Sequence, residues 1–166
     1  METKNIKLIL CDENILKKAL EGNNELSLYL NLEVPNNWTE FGELPIQYAL
    51  EKLNDPKELG WWTYFPIHKK DNKLIGTCGY KGSPNSENTV ELGYEIIPDY
   101  RNKGFATEIT NLLIDNAFSK GVKKIIAHTL AEYNPSTKVL AKCNFIKTQE
   151  IPDEEHGIIW KWELKR

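Results

Sequence analysis

The chain has few cysteines, and they form no pair at metal-ligand spacing. Cys11, Cys78 and Cys143 are odd in number and lie far apart in the 166-residue sequence. Without a Cys-x-x-Cys motif, the zinc-ribbon and thioredoxin-type classes are excluded, and no His/Cys/Asp cluster has the spacing of metal ligands. We therefore expect three free thiols, a reducing compartment and no metal.

Long hydrophobic runs and an excess of basic charge are also missing. No segment approaches the roughly 20 apolar residues of a membrane span, and residues 1–10 lack the apolar core of a signal peptide. The formal net charge is −3, whereas a dedicated nucleic-acid-binding protein usually carries a basic excess or stripe. We expect a cytoplasmic protein that binds neither membrane nor nucleic acid and is a monomer or homodimer.

Hydrophobic periodicity predicts one domain over residues 1–166, without repeats or low-complexity linkers. The predicted strands are Ile6–Leu10, Trp61–His68, Lys73–Tyr80, Thr89–Ile97, Val122–Leu130, Phe145–Glu150 and Gly157–Leu164. Helices are predicted after Asp12, from Pro45, over Phe105–Lys120 and after Asn134, whereas Asn23–Asn37 reads as irregular and Pro152–Glu155 as a loop. The expected class is mixed α/β (α+β-like), with about six to seven strands and about four helices, and at least one parallel strand pair across residues 89–130.

The segment Tyr100-Arg-Asn-Lys-Gly-Phe-Ala106 lies between a predicted strand and a predicted helix. Gly104 and Ala106 allow close approach to the backbone, and the helix start offers unpaired N–H groups and a positive dipole end. Arg101 and Lys103 add positive charge, so the segment suits a pyrophosphate. It is neither a Walker loop nor a dinucleotide fingerprint, because the required Gly-Lys-Ser/Thr and the second and third glycines are missing.

This segment fits Arg-x-x-Gly-x-Ala, and through it the chain resembles the GNAT N-acetyltransferases, in particular the RimJ/RimL group of ribosomal-protein N-terminal acetyltransferases. Over roughly residues 6–164 the matching stretches are Gly79–Pro84, Val90–Ile96, Arg101–Glu108, Ala127–Leu130 and Asn134–Leu140. One departure is Asn144-Phe145, where the family usually has Gly-Phe; asparagine tolerates the left-handed conformation of that turn.

The resemblance implies a GNAT-type sheet in which two neighbouring strands diverge and hold acetyl-CoA between them. The implied cofactor-binding residues are Ile96 and Ile97 for the pantetheine arm, Arg101, Asn102, Lys103, Gly104, Phe105, Ala106 and Thr107 for the pyrophosphate, and Asn134 for the pantetheine arm. A plain helix N-cap is the competing interpretation of Asn134.

The implied reaction is direct attack of a primary amine on the acetyl group in a ternary complex, with a strand amide near Ile96 meeting the developing oxyanion. Three side chains are candidate catalytic bases: Glu91 and Glu95, which share one face of a strand, and His128, which lies in an otherwise apolar strand. The acceptor is either a protein or peptide α-amine or a small-molecule amine. The alternative is a non-catalytic acyl-CoA sensor or partner module, and an enzyme acting on charged tRNA is disfavoured by the net charge.

Aromatic residues are candidates for the acceptor pocket. Trp38 and Phe41, near the irregular region, are better candidates than Trp61 and Trp62, for which burial in the core is the competing reading. His68 and a second histidine, His156, are expected to face solvent.

Overall fold

The computed structural model describes residues 1–166 and contains five α-helices and eight β-strands. The strands are β1 (Ile6–Leu10), β2 (Thr63–His68), β3 (Lys73–Leu74), β4 (Gly76–Tyr80), β5 (Thr89–Ile96), β6 (Lys124–Leu130), β7 (Ile146–Asp153) and β8 (Gly157–Lys165). The helices are α1 (Glu13–Glu21), α2 (Asn23–Leu30), α3 (Leu44–Lys52), α4 (Phe105–Ser119) and α5 (Pro135–Lys142). None of these helices combines the length and apolar content that crossing a bilayer requires.

The strands form one mixed sheet in the order β1-β2-β4-β5-β6-β8-β7, with β3 paired to β2. Only β5 and β6 run parallel, which confirms the parallel pair expected across residues 89–130. Their pairing covers Thr89 to Glu91 against Lys124 to Ile126 and then stops. Because both strands continue beyond this point, they diverge and leave a gap in the middle of the sheet.

The side chains of β5 alternate between the two layers of helices. Tyr94 faces α5, since its hydroxyl lies 3.1 Å from Ser136 Oγ. Glu95 faces the segment that leads into α3, because its Oε2 accepts a hydrogen bond from the Glu40 N–H at 2.9 Å. By the period of two, Glu91 and Gly93 share the face of Glu95, so the gap opens toward both layers.

Helix α2 forms where the sequence predicted irregular structure. Its asparagines and the flanking glycine resemble a loop, but Leu26 is fully buried against the core, and Asn31 ends the helix in the left-handed conformation with φ 53°. Burial of this apolar side chain outweighs the poor helix propensity of the segment. The chain therefore has five helices rather than about four.

Three further expectations need correction. The strand predicted as Lys73–Tyr80 is two strands, because the run is interrupted at Ile75, directly before Gly76 at φ 150°. Strand β3 pairs with β2, and β4 pairs with β5. Pro152, expected in a loop, lies in β7, an edge strand in which a missing N–H is tolerated. His68, expected to face solvent, is only 9% exposed and packs against Tyr100 and Phe105 with ring centroids 5.1 and 4.9 Å away.

Candidate active site

The start of α4 presents a row of unpaired backbone donors. No N–H group from Asn102 to Thr107 donates a hydrogen bond within the protein. The turn depends on Asn102 at φ 61° and Gly104 at φ 86°, left-handed conformations that asparagine and glycine adopt most readily. A Cβ at position 104 would meet nothing within 4 Å, so the space above the turn is open. Such a row of donors at a positive dipole end favours an anion such as a pyrophosphate.

Arg101 joins this turn to the gap in the sheet. Its Nε donates to the carbonyl oxygen of Ile96 at 2.7 Å, and its guanidinium forms an ion pair with Glu40. Lys103 extends over the ring of Tyr100, with Nζ 5.2 Å from the centroid. Two cationic side chains therefore flank the unpaired N–H groups.

Backbone groups of β5 supply donors inside the gap. Lys81 N donates to Glu91 O and Ile97 N donates to Ile75 O, at 2.9 and 3.0 Å, so odd-numbered residues of β5 pair with β4. Because the direction of backbone groups alternates along a strand, the N–H groups of Tyr94 and Ile96 point into the gap, beyond the end of the β5–β6 pairing. The N–H of Ile97, one of the residues predicted to bind the cofactor, is used in the sheet.

Asn134 caps α5 and keeps part of its side chain free. Its Oδ1 accepts from the Thr137 N–H at 3.0 Å, and Thr137 Oγ1 accepts from the Asn134 N–H at 3.1 Å, which completes a capping box. The cap uses only the oxygen of the amide, so Nδ2 remains available as a donor. The two interpretations of Asn134 are therefore compatible.

These donors fit the chemistry of coenzyme A. An anionic pyrophosphate matches the α4 start with Arg101 and Lys103, and an amide-containing pantetheine arm matches the strand amides of the gap and Asn134 Nδ2.

A cavity of about 670 Å³ lies against the gap. Glu91 and Gly93 line it from one face of β5, and Leu92 and Tyr94 line it from the other. Residues on both faces of a strand can border one cavity only where the sheet is open beside that strand. The cavity thus passes through the gap, from the layer of α3 to the layer of α5.

Two of the three candidate bases, Glu91 and His128, meet in this cavity. His128 Nδ1 lies 3.0 Å from Glu91 Oε1, and Lys81 forms an ion pair with the same carboxylate. Burial acts to raise the pKa of Glu91, but the contacts with Lys81 and His128 outweigh it and hold that pKa below its ordinary value. Glu91 is therefore ionised near neutral pH and lies beside the imidazole.

Glu95, the third candidate, does not line the cavity. Its two carboxylate oxygens accept hydrogen bonds from Thr77 Oγ1 at 2.7 Å and from the Glu40 N–H at 2.9 Å. The side chain thereby fastens the segment before α3 to the sheet.

The aromatic candidates divide between core and cavity. Phe41 and Trp62 line the cavity together with Tyr48. Trp38 is buried and packs edge-on against Phe65 at 5.1 Å, and Trp61 is buried against Tyr80 at 5.2 Å.

Several lining residues were not identified from the sequence. Lys81 directly follows β4 and lies opposite Glu91, to whose carbonyl oxygen its N–H donates. Antiparallel pairing of the predicted strands Lys73–Tyr80 and Thr89–Ile97 in this register would have revealed the opposite-charge pair. Tyr94 and Ser136 carry no motif of their own, and only the register of β5 against α5 brings them together. Burial raises the pKa of the Tyr94 hydroxyl to about 12, so this group remains protonated.

One cysteine, Cys78, lines the cavity. Complete burial raises the pKa of its thiol well above the ordinary range, which leaves no thiolate for nucleophilic attack at neutral pH. No group of three or more His, Cys, Asp or Glu side chains is arranged to hold a metal ion.

Comparison with known proteins gives consistent matches. The family model of the acetyltransferase (GNAT) domain matches residues 22–146. The uncharacterized N-acetyltransferase YoaA of Bacillus subtilis is 35% identical over 131 residues, which cover 78% of this chain and 71% of that protein. The uncharacterized N-acetyltransferase YjdG of the same organism is 28% identical over 95% of this chain and 96% of its own length.

Solved structures share the fold at low sequence identity. The ribosomal-protein-S5-alanine acetyltransferase of Vibrio fischeri has a TM-score of 0.69 at 18% identity and covers 99% of this chain and 95% of its own. The spermidine N-acetyltransferase of Vibrio cholerae, in complex with CoA and spermine, has a TM-score of 0.69 at 18% identity, with 98% and 96% covered.

Proposed function

The chain belongs to the GNAT acetyltransferase family, and from that premise we propose that it transfers the acetyl group of acetyl-CoA to a primary amine by direct attack in a ternary complex. The acceptor is a protein or peptide α-amine or a small-molecule amine. One observation carries the proposal: the gap between β5 and β6, lined by the N–H groups of Tyr94 and Ile96, opens into the cavity beside Glu91 and His128.

The cofactor is held by backbone donors along one continuous path. The N–H groups of Asn102 to Thr107 bind the pyrophosphate, helped by the charges of Arg101 and Lys103. The N–H of Tyr94 and the Nδ2 of Asn134 bind the pantetheine arm. When bound, acetyl-CoA supplies an activated acetyl group as a thioester.

His128 removes the proton from the attacking amine. Its Nδ1 faces Glu91, which leaves Nε2 as the acceptor of the proton. The ionised Glu91 fixes the orientation of the imidazole and stabilises the cation that forms on it, as carboxylates do in other catalytic pairs. The N–H of Ile96 donates to the acetyl oxygen as negative charge develops there.

The buried, protonated thiol of Cys78 argues for direct attack rather than a covalent acetyl-enzyme. Initial rates of thiol release, with acetyl-CoA and an amine varied together, test this. We expect intersecting double-reciprocal lines and no acetylated protein by mass spectrometry after incubation with acetyl-CoA alone. Parallel lines with an acetylated cysteine contradict direct attack, and acetyl-CoA binding without turnover of any amine favours a binding module instead.

A further inference from the structure

The α3 side of the cavity is walled by aromatic and aliphatic side chains. Phe41, Tyr48 and Trp62 line it, next to Pro45 and Ile46. The rings of Tyr48 and Trp62 meet edge to face, with centroids 5.2 Å apart at 80°. Phe41 is 65% exposed and lies toward solvent. A wall of this kind binds apolar surface, and aromatic bodies in particular.

The same wall carries almost no negative charge. Glu91 is the only carboxylate that lines the cavity, and both Lys81 and His128 already contact it. Glu58, behind Trp62, accepts hydrogen bonds from the Trp62 indole at 2.7 Å and from the Ser83 hydroxyl at 2.8 Å. A second ammonium group on the acceptor would therefore lose its hydration inside the cavity without gaining a counter-charge.

We propose, on the basis of the proposed function, that the acceptor is a primary monoamine carried by an apolar or aromatic group that packs against Phe41, Tyr48 and Trp62, and that diamines and polyamines are poor substrates. The cavity, at about 670 Å³, has the size of sites for small organic molecules. A free arylalkylamine and the first residue of a peptide with an apolar side chain share this chemistry.

A matched pair of acceptors tests the proposal. Hexylamine and cadaverine have chains of equal length and differ only at the far end, which is a methyl group in one and an ammonium in the other. We expect kcat/KM, from thiol release, to be at least tenfold higher for hexylamine, and phenethylamine to exceed spermidine by a similar factor. A phenylalanine-initiated tripeptide amide, compared with phenethylamine, shows which source of the apolar amine is preferred. Equal or higher kcat/KM for cadaverine or spermidine overturns the proposal.

A pair of variants tests whether the aromatic wall is what distinguishes hexylamine from cadaverine. Phe41→Asp places a carboxylate on the wall, whereas Leu44→Asp adds the same charge at a position 75% exposed and outside the cavity lining. Phe41→Asp should lower kcat/KM for hexylamine at least fivefold and raise it for cadaverine, while Leu44→Asp keeps the wild-type ratio of the two. An equal change of the ratio in both variants contradicts a role for the aromatic wall.

Binding is measured separately, by tryptophan fluorescence with hexylamine or cadaverine added to the CoA complex. Tighter binding of hexylamine without turnover of any amine contradicts the proposed function and leaves only a preference of the wall for apolar amines as ligands, whereas tighter binding together with turnover supports the acceptor class. Equal binding of the two amines overturns the inference, whatever the turnover.

Discussion

The two ends of the Asn134 amide have different proposed roles, since Oδ1 caps α5 and Nδ2 binds the cofactor. Substitutions at this position can therefore test stability and cofactor binding separately. Asn134→Ala removes the cap of α5, which costs about 1 kcal/mol and lowers Tm by about 2–4 °C in a domain of this size. Asn134→Ser keeps an oxygen that accepts from the Thr137 N–H, since serine caps helices about as well as asparagine. Thermal unfolding should therefore place the serine variant near wild type and the alanine variant clearly below it.

Acetyl-CoA affinity should separate the same variants differently. Both lack the amide Nδ2, and loss of one neutral hydrogen bond of about 1 kcal/mol raises Kd about fivefold. Isothermal titration with acetyl-CoA should give this weakening in both variants, including the stable serine variant. Wild-type affinity in Asn134→Ser refutes the ligand role of Asn134, and a Tm as low as that of Asn134→Ala refutes the capping argument.

Three further predictions concern the candidate general base His128, its neighbour Glu91 and the buried Tyr80. His128→Gln should lower kcat/KM by about 10²–10⁴-fold, the usual range for a lost general base, with acetyl-CoA Kd within about twofold of wild type; an unchanged rate removes His128 from catalysis. Because the pKa of Glu91 is lowered on folding, its charge stabilises the protein above an unfolded pKa of about 4.3, and this contribution is lost as pH falls through the folded value. Urea unfolding should then show a larger wild-type advantage over Glu91→Gln at pH 7 than at pH 3, and a reversed order contradicts the charge assignment. Tyr80→Phe removes the donor to Leu113 O at 2.6 Å, so urea unfolding should show a loss of about 1–3 kcal/mol.

The parts of the site that could be predicted from the sequence depend on local chemistry. The strand that ends near Ile96, the left-handed turn at Gly104 and the start of α4 follow each other within about ten residues, and each has its own signal in turn and capping residues. The capping box at Asn134 is similarly local. These local signals indicate an anion site at the start of α4, whereas the reaction class came from the resemblance of the Arg-x-x-Gly-x-Ala segment to the GNAT acetyltransferases.

The remaining parts depend on contacts between distant residues. Glu91 and His128 meet only because β5 pairs with β6 in one register, and the sequence alone left both as alternatives to Glu95. The Glu95 carboxylate accepts a hydrogen bond from the Glu40 N–H. Glu40 lies in a segment without hydrophobic periodicity, so this contact could not be predicted. Trp38 lies in the core and Phe41, three residues later, lines the cavity. Hydrophobic periodicity could not predict this difference, because the segment between them has no regular structure. Helix α2 was missed because its asparagines favour turns, whereas burial of Leu26 decides the structure.

Isothermal titration tests most directly whether the unpaired N–H groups at the start of α4 form an acetyl-CoA site. Wild type is compared with the double variant Gly104→Glu, Ala106→Glu, which places two carboxylates on the turn. The control, Asn111→Glu with Ser119→Glu, adds the same charge to exposed positions of α4. Binding in wild type and control that the Gly104, Ala106 variant abolishes is the predicted result. No binding of acetyl-CoA to wild type at millimolar concentration, or equal binding to all three proteins, contradicts the account.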